Sequence, residues 1–145
     1  MDKDFVQYEQ ALALKELGFD EPCLMFYEQG TSSKWLQKGI DDDYWGDYSE
    51  PRDWNSIPNK PWKPFCQCIS APLYQQAFRW FREKYDLDSH ISRDYSLREI
   101  PKQYCYTINT EEGLEESKNF NTYEEAELEC LRQLIEIVKD LAVAE

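Results

Sequence analysis

The sequence is poor in the residues from which most catalytic and nucleotide-binding sites are built. Five glycines in 145 residues leave little material for a loop that wraps phosphates. There is no G-x-G-x-x-G, P-loop, G-x-S-x-G or H-E-x-x-H pattern. His90 is the sole histidine, and neither Asp88 nor Ser89 beside it completes an acid–base signature. It reads as an exposed turn residue. Positive charge is also short: 16 Lys and Arg stand against 29 Asp and Glu, a net −13. Binding to duplexes and to anionic membranes both depend on clustered cations, so neither nucleic acid nor membrane is an expected partner. No apolar run approaches the roughly 20 residues of a membrane span. The opening Met1-Asp2-Lys3-Asp4 is too acidic and polar to read as a signal peptide.

What is present points to a folded, single-domain chain over residues 1–145. Aromatics make up 15% of it, well above the usage of disordered segments. A chain near 150 residues can hide roughly 68–70% of its unfolded surface, so no metal, cofactor or disulfide is needed for folding. The five cysteines (Cys23, Cys66, Cys68, Cys105, Cys130) are odd in number, which fits free thiols in a reducing cytoplasm. Cys66-Gln67-Cys68 lacks the spacing of zinc or redox sites, and buried apolar cysteines are the favoured reading.

Periodicity predicts three helices. Residues 4–17 carry a stripe of Phe5, Tyr8 and Leu12, widened by Leu14 and Leu17, with Gly18 as the terminating residue. Ser70 caps a second helix with Pro72 in its first turn. Its core stripe is Tyr74, Ala77, Phe78, Phe81 and Tyr85, bordered by Trp80. The third opens on the capping box Thr122-Tyr123-Glu124-Glu125 and carries Leu128, Leu131, Leu134, Ile135, Val138, Leu141 and Ala142. Strands are expected at 23–28, near 33–37, near 90–95, at 103–109 and as an acidic edge at 116–120, with a turn at Glu111-Glu112-Gly113. The fold class is α+β: one small antiparallel or mixed sheet of about four strands, covered by three helices.

Residues 29–70 break the pattern. They hold four of the five tryptophans (Trp35, Trp45, Trp54, Trp62), four prolines and no sustained period. The run Asp41-Asp42-Asp43-Tyr44-Trp45-Gly46-Asp47 puts glycine at the sixth place of a calcium loop. Arg52 falls at the twelfth, where a bidentate Glu is required, so the match fails. Asp41, Asp43, Trp45 and Trp54 are instead candidates for an acidic–aromatic face that meets a basic partner. By contrast, residues 71–102 hold 5 acids and 6 bases, the least acidic stretch of the chain. Tyr74, Gln75, Arg79, Trp80 and Arg82 there supply stacking and anion contacts for a second candidate site.

Three stretches resemble a known group of proteins. They are residues 6–20, the stretch Ser70-Ala71-Pro72-Leu73-Tyr74-Gln75-Gln76-Ala77-Phe78-Arg79-Trp80-Phe81-Arg82-Glu83-Lys84-Tyr85, and Tyr123-Glu124-Glu125-Ala126-Glu127-Leu128 running into Cys130-Leu131. Together, about a third of the chain resembles a family of small uncharacterised proteins encoded by phages, prophages and mobile elements of Bacteroides and relatives. The resemblance implies a mobile-element origin and action in the cytoplasm of a bacterial host. It carries no catalytic residue.

Three functions are weighed. The favoured one is a non-enzymatic accessory protein that binds a host or phage protein. The alternatives are a small-ligand-binding protein or enzyme with a pocket near the middle helix, and a homodimer that buries its tryptophans between subunits.

Overall fold

The computed structural model describes residues 2–29, 37–38, 51–56, 67–94 and 102–144. The class is α+β, with three α-helices among the described residues. The strands form two separate antiparallel sheets of three, β2-β1-β3 and β4-β5-β6, which corrects the expectation of a single sheet of about four. Contacts group the chain into two compact units, Met1–Leu73 and Tyr74–Glu145. Among the described residues, no helix is long and apolar enough to cross a membrane.

The first unit is built on α1 (Tyr8–Glu16), β1 (Met25–Gln29), β2 (Gln37–Lys38) and β3 (Gln67–Ala71). The helix starts later than its apolar stripe suggests, because the chain before it is used as an extended segment. Phe5 bridges Leu73, and the Val6 N–H donates to the Pro72 carbonyl at 2.9 Å. The buried face of α1 is Gln10, Ala11 and Leu14 rather than Tyr8 and Leu12. Its end is as expected. Gly18 has φ 92, its N–H reaches the Lys15 carbonyl at 3.0 Å, and Phe19 N–H reaches that of Leu14 at 3.0 Å. This paired closure takes up carbonyls the helix leaves unsatisfied, and a left-handed glycine costs it little.

Strand β3 corrects the reading of residues 67–70 as irregular. It runs antiparallel to β1, with Phe26 opposite Ser70 and Glu28 opposite Cys68. Ser70 is therefore a strand residue and not a helix cap. Its N–H donates to Asn55 Oδ1 at 2.9 Å, and its hydroxyl accepts the Asn55 N–H at 3.2 Å. The pairing of Phe5 and Val6 with Pro72 and Leu73 prolongs this extended chain and delays the next helix.

The second unit contains α2 (Tyr74–Tyr85), β4 (Asp88–Asp94), β5 (Gln103–Thr110), β6 (Gly113–Glu116) and α3 (Tyr123–Ala144). β5 is the central strand, with His90 opposite Thr107 on one side and Asn109 opposite Leu114 on the other. β6 comes earlier than the expected edge at 116–120, although Phe120 still bridges Tyr104. Helix α3 begins as its capping box demands, the Glu125 N–H donating to Thr122 Oγ1 at 3.1 Å. Its inward face is Ala126, Cys130, Leu131, Leu134, Ile135 and Val138, which joins Phe81 and Ile108 in the core of this unit. Cys23, Cys68 and Cys130 are buried and Cys105 half-buried. Cys66 lies outside the described residues.

Candidate functional site

The sequence-derived candidates divide by position. Asp41, Asp43 and Trp45 lie outside the described residues, as do Trp35, Trp62 and residues 33–36. Trp54 sits in a short 3-10 turn, Trp54–Ser56, with only 3% of its surface exposed. It stacks on Phe26 with ring centres 4.3 Å apart, and its indole N–H donates to the Cys23 carbonyl at 2.7 Å. This tryptophan belongs to the core of the first unit.

In α2 the five candidates do not form one surface. Tyr74 and Trp80 are buried, with Tyr74 beside Phe78 and Trp80 edge-on to Phe81. Gln75, Arg79 and Arg82 share the exposed face, at positions i, i+4 and i+7. Arg82 is 4.0 Å from the Asp88 carboxylate, with both side chains about half exposed. Lys84 places its ammonium 4.9 Å from the Trp80 ring centre. This face offers paired cations on top of a packed aromatic layer.

A hollow of ≈ 400 Å³ opens where the C-terminal end of α2, the β5–β6 turn and the last part of α3 meet. No motif or periodicity in the sequence marks its position. Its apolar surface comes from Tyr85, Leu87, Ile137 and Leu141. Its carboxylates are Asp86, Glu111, Glu112, Glu115 and Asp140, and Thr110 adds a hydroxyl. Among the described residues, no Lys, Arg, His or Cys lines it. Two local features shape the hollow. Asp86 has φ 57, a left-handed conformation that turns the chain sharply out of α2, and Leu87 N–H donates back to the Phe81 carbonyl at 3.3 Å. Gly113, with φ 133, closes the β5–β6 turn, where Thr110 Oγ1 accepts the Glu112 N–H at 3.2 Å.

The electrostatics of the hollow run one way. Helix C-termini carry partial negative charge, and α2 ends at this surface. The five carboxylates add formal charge with no ion pair among the described residues. An arrangement of this kind attracts cations and repels phosphates.

The buried titratable groups lie elsewhere. Burial pushes the Cys130 thiol up to about 12, with the Ser89 hydroxyl opposing the shift in part. Burial also lowers the Lys15 ammonium from its ordinary value. Lys15 Nζ donates to the Cys68 carbonyl at 3.1 Å. Cys130 is not among the described residues that line the hollow.

No family model matches the chain, and neither does any curated protein or solved structure.

Proposed function

We propose that this chain is a non-enzymatic accessory protein of phage or mobile-element origin that acts in a bacterial cytoplasm by binding a basic protein partner. The observation that carries the reading is the hollow of the second unit, with five carboxylates around an apolar floor and no cation among its described lining residues. Charge complementarity of this type speeds encounter and discriminates against acidic competitors. The net charge of −13 favours encounter with basic partners in general. The test is a titration with lysine-rich and arginine-rich peptides at low and high salt. Saturable binding that weakens with salt is expected. Failure of every basic peptide to bind contradicts the reading.

The second reading, a small-ligand-binding protein, rests on the size of the same hollow. Small-molecule sites typically occupy about 300–1,000 Å³, and this one holds ≈ 400 Å³ at the end of the middle helix.

A further inference from the structure

We propose that the open edge of β6 takes up an extended basic segment of the partner protein as an added antiparallel strand, held by main-chain hydrogen bonds. The inference rests on the reading of a basic protein partner and names the way that partner is held.

The ladder of the second sheet decides which groups are offered. The Ser117 N–H donates to the Tyr106 carbonyl at 3.0 Å, so Tyr106 and Ser117 are a bonded pair. Bonded and non-bonded pairs alternate along antiparallel strands. The register then makes Ile108 with Glu115, and Thr110 with Gly113, the next bonded pairs. Leu114 and Glu116 therefore turn their N–H and carbonyl groups away from β5. β6 is the last strand of its sheet, and among the described residues no further strand lies along that side. Four main-chain groups in strand geometry are left to a strand from outside, the mode of recognition by strand addition.

The side chains say which strand fits. All four residues of β6 are exposed. Leu114, 65% exposed, lies on the same sheet face as Glu116, and Glu115 lies on the opposite face, where it borders the hollow. An apolar residue opposite Leu114 removes exposed hydrocarbon from water. Lysine or arginine opposite Glu115 and Glu116 completes cross-strand ion pairs. Read from its N-terminus, an antiparallel segment is then basic, basic, apolar.

A second copy of the chain does not suit this edge. Antiparallel pairing of β6 with itself about Glu115 sets that glutamate against its own copy, and like charges directly opposite destabilise a ladder. Short charged edges of this kind turn away neutral and acidic strands. A basic strand neutralises the same charges and gains the open hydrogen bonds.

The test is calorimetric titration of the full chain with an extended peptide containing lysine-lysine-leucine, and with the same peptide N-methylated at the first lysine and the leucine, the residues opposite Glu116 and Leu114. Methylation keeps every charge and removes the donors to β6, so binding should weaken about tenfold or more. Amide exchange at Leu114 and Glu116 should slow when the unmethylated peptide binds. Glu116→Gln removes the charge alone, while Glu116→Pro also removes the outward N–H, which the free sheet does not use. The proline variant should bind about fivefold more weakly than the glutamine variant, with circular dichroism melting curves establishing that both are folded. Equal binding of the methylated peptide, or binding without protection at Leu114 and Glu116, would overturn the inference and leave the basic-partner reading intact. If neither peptide binds, both fall.

Discussion

Replacing Trp54 tests whether this tryptophan is a core residue or a surface anchor. Its side chain is 3% exposed, stacks on Phe26 at 4.3 Å and donates to the Cys23 carbonyl at 2.7 Å. Removing a buried aromatic ring costs about 3–5 kcal/mol. Trp54→Ala should lower stability by that amount, which includes the stacking with Phe26. Trp54→Phe keeps most of the ring and loses the indole N–H. The Cys23 carbonyl still accepts the Arg52 N–H at 3.0 Å, so it is not orphaned. The cost of Trp54→Phe is then close to that of one ordinary hydrogen bond plus a small volume loss, about 1–2 kcal/mol. Urea unfolding followed by far-ultraviolet circular dichroism measures both variants. Amide exchange at Cys23 and Arg52 reports whether their mutual bridge has loosened. A loss below about 1 kcal/mol for Trp54→Ala would show that the indole does not hold the unit together, and would return it to the surface.

Four further outcomes follow from local chemistry. The Cys130 thiol is pushed up to about 12, so the folded chain keeps its proton where the unfolded chain has lost it. Its contribution is complete below about pH 9 and fades as pH rises towards 12, at most about 4 kcal/mol. Alkaline unfolding of Cys130→Ala against the parent chain should show that component missing. Asp86 sits at φ 57, so Asp86→Gly should raise stability by about 0.5–1 kcal/mol, read as a higher melting temperature, while weakening cation binding. Gln10 is buried with its Oε1 unpartnered among the described residues, so Gln10→Met should be neutral or stabilising by about 1 kcal/mol, read by urea titration. Sodium chloride should raise the melting temperature by screening the carboxylates of the hollow, and less so in a Glu111→Gln, Glu112→Gln variant.

The elements that periodicity could reveal were legible. Phe78 and Phe81 repeat at helical spacing and are buried together, and Thr122 and Glu125 mark the start of α3 to the residue. Gly18 likewise announced the end of α1 through its conformational freedom. The errors arose where long-range pairing decided local structure. Ser70 has the chemistry of a helix cap, yet β3 claims it because Phe26 and Asn55 supply partners distant in sequence. The division into two sheets was hidden for the same reason, since strand propensity does not say which strands pair. Trp54 carried an aromatic-anchor signal that packing against Phe26 redirected to the core. The hollow was the least visible feature. Asp86, Glu111 and Asp140 are separated by more than twenty residues each, and only the closeness of two helix ends to one hairpin turn unites them. The one sequence trace is that residues 103–145 hold 11 acids against 3 bases, which gives a sign of charge and no place.

The central claim is that the protein binds a cationic partner through this hollow. Nitrogen-15 chemical-shift mapping during titration with a lysine-rich peptide tests it most directly. The account predicts saturable, salt-reversible shifts at Asp86, Leu87, Thr110, Glu112, Glu115 and Asp140, with the amides around Trp54 unmoved. Shifts spread over every acidic surface in proportion to charge, or no shifts at all, would contradict it.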